Sequence, residues 1–174
     1  MTWDNQAFAV VFNELYPGMC RFLECMMGGS ANAHDIAQET FVRLLRKGGG
    51  MPAEEVRFWI YRVARNLALN ELKKTATRTR LVEDVRTHLN NRVTTPEQEY
   101  EQVERNNVLA GLLTLLPEPQ RAALVLREQQ EMSYAQIARV LNVSESKVKV
   151  DIHRARIRLR TEFRRMQEPR SAIK

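Results

Sequence analysis

The stretch Met132-Ser133-Tyr134-Ala135-Gln136-Ile137-Ala138-Arg139-Val140-Leu141-Asn142-Val143-Ser144-Glu145-Ser146-Lys147-Val148-Lys149-Val150-Asp151-Ile152-His153-Arg154-Ala155-Arg156 reads as two short helical patterns separated by a turn. Ser133 is followed three residues later by Gln136, the pairing of a capping box, which starts a helix at Tyr134. That helix ends at Asn142, a residue that tolerates the left-handed conformation a tight turn requires. Ser144 then caps a longer helix whose apolar positions, Val148, Ile152, Ala155, Leu159 and Phe163, recur at helical spacing and define a buried face. Two helices joined by a turn, the second of them basic, form a helix-turn-helix. Lys147, Lys149, His153, Arg154, Arg156, Arg158 and Arg160 meet only Asp151 before Glu162. A face that serves solubility mixes its signs, so this one points to a polyanion.

The charge of the whole chain supports that reading once it is divided. The net +6 comes from 27 Lys/Arg against 21 Asp/Glu in 174 residues. Residues 1–120 hold 14 basic against 15 acidic side chains, and residues 121–174 hold 13 against 6. A second local excess lies at 57–80, where seven basic residues face only Glu71. Two separated basic segments suggest two contacts with nucleic acid.

Working outward, the chain reads as all-α. Asp4 or Asn5 can cap a first helix through Phe8, Val11, Phe12 and Leu15. Pro17 predicts a break or kink before a second helix from about Gly18 to Met27. Gly28-Gly29-Ser30 ends that helix and offers Ser30 as the next cap. Ile36, Ala37, Thr40, Phe41, Leu44 and Leu45 then outline an amphipathic helix that stops at Gly48-Gly49-Gly50. Pro52 opens another, with Glu54 and Glu55 in its first turn, running to about Thr75. Residues 76–95 are polar and lose the pattern, which predicts an exposed, flexible linker with room for a short helical turn. Thr95, Pro96 and the acidic Glu97 and Glu99 restart a helix to about Leu116, followed by one from Pro117 to Gln129. The expected organisation is two small helical domains, residues 1–75 and 96–174, joined by the linker.

Several classes are excluded by what the sequence contains. Apolar residues at 44% with 7 Gly and 6 Pro do not describe a disordered or fibrous chain. No apolar run approaches the roughly 18 residues of a membrane span, and the N-terminus carries no signal-peptide pattern. A cytoplasmic protein without membrane insertion of its own is expected. Cys20 and Cys25 match no common zinc spacing and read as small core residues, the alternative being a redox or metal role with His34. His34, His88 and His153 are scattered, with no nucleophile triad, phosphate loop or carboxylate cluster. No catalytic residue, metal site or cofactor is expected.

Three strings resemble the extracytoplasmic-function (ECF) sigma factors, the smallest sigma class, which keeps only conserved regions two and four. Asp35-Ile36-Ala37-Gln38-Glu39-Thr40-Phe41 is similar to that family's D-L-V-Q-E-T-F segment. Phe58-Trp59-Ile60-Tyr61-Arg62-Val63-Ala64-Arg65-Asn66-Leu67-Ala68-Leu69-Asn70 is similar to its W-L-Y-R-I-A-R-N segment. Leu126-Arg127-Glu128, Met132 to Ala138, Val148-Lys149 and His153 to Arg156 resemble its reader of the minus-thirty-five promoter element. The likeness spans roughly residues 8–75 and 97–163.

The resemblance implies a transcription initiation factor whose partners are core RNA polymerase and promoter DNA. It assigns Asp35, Gln38, Glu39 and Arg43 to the polymerase clamp. Opening of the minus-ten element falls to Arg62, Arg65, Asn66 and Asn70, with Gly49 and Gly50 in the preceding loop. Asn side chains can donate to and accept from a base edge, and Arg can bind phosphate. Trp59 suits a core position as well as a platform for an unpaired base. The glycine-rich loop suits close approach of a base as well as a plain connection.

Minus-thirty-five recognition falls to Arg127, Ser144, Lys147, Lys149, Val150, Asp151, His153 and Arg154. The sequence departs from the pattern at Glu131, where a turn Gly is usual, at Lys147, and at Val150-Asp151. An exposed Val can touch a thymine methyl and Asp can accept from cytosine, so these swaps imply an unusual element. With both DNA-facing surfaces exposed and no inhibitory segment evident, an anti-sigma partner is expected to mask them. A stand-alone helix-turn-helix regulator is the alternative; it leaves residues 35–43 and the basic segment at 57–74 without a role.

Overall fold

The computed structural model describes residues 3–29, 32–47, 50–83 and 109–167, and every described element is helical or a connection between helices. Among the described residues the main helices are, in order, α1 Asn5–Met27, α2 Ala33–Lys47, α3 Ala53–Glu83, α4 Glu118–Glu128, α5 Tyr134–Leu141 and α6 Glu145–Gln167. A further helical turn spans 109–114.

α1, α2 and α3 pack against one another as the N-terminal half. Asp4 caps α1, its carboxylate accepting from the Gln6 amide. Phe12 stacks on Tyr16 at 4.6 Å and meets Phe41 of α2 edge-on at 4.9 Å. Trp3 lies over this group and donates its indole N–H to the Leu44 carbonyl at 3.0 Å. Beneath the aromatics, Met19, Phe22, Leu23 and Met26 of α1 are fully enclosed with Leu44 and Ile60.

That packing overrides a local rule. α1 runs through Pro17 as one helix, where the sequence predicts a break or a kink, so the break is not found. A proline inside a helix costs roughly 3 kcal/mol through a lost hydrogen bond and a ring clash. Here the segments before and after Pro17 are both held by apolar packing, so the helix continues. α3 also departs from expectation, extending to Glu83 instead of ending near Thr75, so residues 76–83 of the expected linker are helical. Ser30, Gly48, Gly49 and the helix start at Thr95-Pro96 lie outside the described residues.

α4, α5 and α6 make the C-terminal half around Leu126, Ile137, Val140, Val148, Ile152 and Ala155. Leu159 is half-buried. Phe163, expected on the same face, is exposed, as is Leu45 on α2. The two helical domains touch one another in this structure. α1 packs on α4, α3 packs on α5, and the buried side chains of both halves form one continuous cluster.

Candidate nucleic-acid interface

The helix-turn-helix is built by local hydrogen bonds that fix where α6 begins. Ser133 Oγ accepts from the Gln136 amide at 3.2 Å, and Gln136 Oε1 accepts from the Ser133 amide at 2.8 Å. Asn142 closes α5 in the left-handed conformation, with φ +56°. Ser144 Oγ then accepts from the Lys147 amide at 3.2 Å. Val148, Ile152 and Ala155 are turned inward, and this orients the opposite side of α6 to solvent. Ser144, Lys147, Lys149, Val150, His153 and Arg154 are all exposed there.

Asp151 is not part of that face. Only 3% of it is exposed, and both its carboxylate oxygens are bonded by Lys147 Nζ, at 2.5 Å to Oδ1. The expectation that Asp151 accepts a hydrogen bond from a base is corrected by this placement. Position 151 sits beside the inward stripe of Val148, Ile152 and Ala155, so its short side chain is covered by its own helix and neighbours. Arg156 is likewise engaged, paired with Glu128 at 2.6 Å, and that hydrogen bond raises the Arg156 pKa.

Arg127 is joined to this surface through a residue the sequence reading passed over. Its Nη1 donates to the Met132 carbonyl at 2.8 Å, and its guanidinium lies 4.9 Å from the Tyr134 ring centroid. Lys149 Nζ lies 5.7 Å from the same ring. Tyr134 therefore gathers two cations from two helices, a use of the aromatic face worth roughly 0.5–1 kcal/mol per cation at exposed sites. In sequence its only signal was an aromatic residue directly after the cap Ser133.

On the N-terminal half, Asp35, Gln38 and Arg43 of α2 are exposed and Glu39 is half-exposed. Arg43 Nε donates to Glu39 Oε1 at 2.7 Å, which holds the Glu39 carboxyl below the usual range. A groove of about 710 Å³ runs between α2 and α3. Asp35, Glu39 and Arg43 line one wall, and Asn70, Lys73 and Lys74 the other. Two sets of candidates, for polymerase and for the minus-ten element, thus meet in one groove, with Asn66 exposed a turn away.

Arg62 and Arg65 do not join them. Both are bonded to the C-terminal half, Arg62 to carbonyls of Arg139 and Val140 and Arg65 to Glu118. Trp59 is half-buried against the core with the Lys47 ammonium 5.7 Å from its ring centroid. At Gly50 a side chain would meet nothing within 4 Å, so crowding does not require glycine there.

Cys20 and Cys25 are free, buried thiols whose pKa values burial pushes up. Cys20 Sγ lies 3.5 Å from His34 Nδ1. Among the described residues no three His, Cys, Asp or Glu side chains are grouped to hold a metal.

Residues 11–78 match the family described as Sigma-70 region 2, and residues 107–159 the family described as Sigma-70, region 4. The "ECF RNA polymerase sigma factor SigM" of Bacillus subtilis is 31% identical, covering 95% of this chain and 97% of its own. The "ECF RNA polymerase sigma factor SigW" of the same organism is 28% identical, covering 92% and 91%. Two solved structures share the fold. CnrH in complex with the cytosolic domain of CnrY has a TM-score of 0.65 and 21% identity, covering 92% of this chain and 89% of that one. The Bartonella quintana sigma factor RpoE with the anti-sigma factor NepR has a TM-score of 0.65 and 20% identity, covering 90% and 96%. Among the described residues no helix is long and apolar enough to cross a membrane.

Proposed function

This chain belongs to the ECF RNA polymerase sigma factors, DNA-binding proteins that direct RNA polymerase to promoters, and we propose that α3 and α6 divide the promoter between them. In this reading α6 enters the major groove of the minus-thirty-five element. Ser144 leaves the start of the helix and its backbone N–H groups near phosphate. Lys149 and Arg127 clamp the DNA backbone, while Val150, His153 and Arg154 face base edges. Lys147 sits at the rim, its ammonium shared with Asp151.

At the minus-ten element, Asn66 and Asn70 contact bases of the opened strand, and Arg62 and Arg65 bind its phosphates. Asp35, Gln38, Glu39 and Arg43 of α2 hold the polymerase, so strand opening takes place beside the anchoring surface. The work is done in the cytoplasm, with an anti-sigma protein as a further partner. The likeness in fold to CnrH and RpoE, solved with CnrY and NepR, supports that partner.

The observation that carries this reading is the exposed row on α6, Lys147, Lys149, Val150, His153 and Arg154, on a helix whose other side is sealed into the core. A solvated face would not set four cationic or titratable groups together with an exposed valine opposite so regular an apolar stripe.

The test is open-complex formation with core polymerase, read as permanganate reactivity of unpaired thymines. Asn66→Ala and Asn70→Ala should each weaken opening by about 1–3 kcal/mol, the range of a lost base-edge contact, and more than they weaken initial binding. Full opening by both variants would remove α3 from minus-ten recognition.

A further inference from the structure

Where α1 meets the first turn of α2, a thiol, an imidazole and a carboxylate stand in a row. Cys20 Sγ lies 3.5 Å from His34 Nδ1, and the other ring nitrogen, Nε2, lies 3.7 Å from Glu24 Oε1. Cys20 and Glu24 are four residues apart on α1 and so share one face of that helix, while His34 comes from α2. The thiol is buried, whereas 60% of the His34 side chain and 46% of the Glu24 side chain are exposed. Cys25 is no part of this group, because its sulfur accepts from Gln129 Nε2 at 3.1 Å. The spacing of the two cysteines therefore says nothing about the site, whose second member is a histidine on the next helix.

We propose that Cys20 and His34 form a two-residue binding site for a divalent cation of the zinc class, with Glu24 orienting the imidazole from behind. The separation of the two donors fits such an ion. Bonds of about 2.3 Å to sulfur and about 2.0–2.1 Å to nitrogen at a tetrahedral angle place those atoms about 3.5–3.6 Å apart. A right-angled arrangement with the same bonds would bring them to about 3.1 Å. The observed 3.5 Å is the tetrahedral edge.

The carboxylate behind the ring fits as well. A metal-binding imidazole donates its other N–H to such a partner, which fixes the tautomer. Glu24 faces Nε2, so the Nδ1 lone pair is left pointing at the sulfur. The donor types complete the match, since thiolate and imidazole select zinc over magnesium and calcium, which take oxygen.

Burial holds the Cys20 thiol neutral, while a hydrogen bond from the Tyr16 hydroxyl favours its thiolate. On binding, the S–H bond breaks, the proton leaves to solvent and the Sγ–metal bond forms, with Nδ1 adding its lone pair. Among the described residues no third His, Cys, Asp or Glu is grouped with these two, so water completes the tetrahedron on the exposed side of the ring. A bound ion ties α1 to α2 one residue before Asp35. The site stands apart from the promoter assignments and does not depend on them.

The test is titration of the reduced full chain with Co2+ as a spectroscopic probe, followed by Zn2+ in competition. One equivalent should give the near-ultraviolet absorption of a cobalt–thiolate bond, and Zn2+ should remove it. Cys20→Ser should abolish the band and Cys25→Ser should keep it. His34→Ala, at an exposed position that tolerates the change, should weaken binding at least about 10-fold, and Glu24→Gln about 10–100-fold, the usual effect of losing a carboxylate behind a metal-binding imidazole. Zn2+ should also raise the thermal midpoint of the parent and of Cys25→Ser but not that of His34→Ala, because an ion held only by the folded form stabilises it. Mg2+ should raise none of them.

A parent that gives no thiolate band up to millimolar Co2+ would leave Cys20 and His34 as a hydrogen-bonded pair and overturn the site. A band that survives Cys20→Ser, or an affinity unchanged by His34→Ala, would place the ion elsewhere and overturn it equally.

Discussion

The hydroxyl of Tyr61, on α3, donates its hydrogen bond to the side-chain oxygen of Gln130, in the turn before α5. The two residues are 69 positions apart, and both are buried. Burial pushes the Tyr61 phenol up to about 12.

That shift has a defined sign. The folded pKa is raised above the ordinary value of 10.0, so the fold favours the neutral phenol. The stability it contributes is complete below about pH 10 and is lost as pH rises through about 12, on the order of 2 kcal/mol in all. Urea unfolding of the parent should therefore weaken across that window more steeply than unfolding of Tyr61→Phe, which has no proton to lose. Parallel pH profiles for the two proteins would show that Tyr61 is not held neutral.

Tyr134 gathers Arg127 and Lys149 on one ring. Tyr134→Ala should loosen both cations and weaken minus-thirty-five binding by holoenzyme by at most about 5–30-fold, from two contacts of roughly 0.5–1 kcal/mol each. Tyr134→Phe keeps the ring and should bind as the parent does. Anisotropy titration of a labelled promoter measures both, and full affinity in Tyr134→Ala would refute the positioning role.

Asp151 is a structural carboxylate, since it is covered and bonded to Lys147. Asp151→Ala should leave the promoters selected from a randomised minus-thirty-five library unchanged. Asp151→Arg sets an unpaired cation in a covered site beside Lys147 and should destabilise the C-terminal half by about 3–5 kcal/mol. A well-folded Asp151→Arg protein with altered promoter choice would return this position to the DNA face.

Glu131 adopts a left-handed backbone, with φ +52°, in the turn between α4 and α5. An L-residue is strained there and glycine is not, so Glu131→Gly should stabilise the protein by about 1 kcal/mol. Thermal unfolding checks this, and an unchanged or lower midpoint would contradict it.

What the sequence could and could not reveal follows the range of each interaction. Ser133, Gln136, Asn142 and Ser144 act within four residues, so the caps and turn of the helix-turn-helix were legible from spacing alone. Glu131 was visible as a departure from a turn glycine, though its φ was not. Pro17 misled because a local rule was outweighed by contacts from α2 and α3, which no spacing records. Asp151 misled because its neighbours on the inward stripe were read without it. The contacts between the two halves were invisible for the same reason: Gln130, Tyr61, Arg62, Arg65 and Glu118 are ordinary residues until distant elements meet. Arginines legible as phosphate ligands gave no sign that a carboxylate and two helix-end carbonyls would hold them first.

The most direct measurement of the central claim is run-off transcription with purified core polymerase on a library of promoters randomised at the minus-ten and minus-thirty-five positions. Addition of this protein should yield transcripts from a narrow set of templates that share both elements, with Arg154→Ala relaxing the minus-thirty-five element alone. Duplex binding without polymerase should be weak by comparison. Transcripts that do not depend on the protein, or tight sequence-specific binding of duplex DNA by the protein without core and no transcription with it, would contradict the assignment and favour a stand-alone regulator.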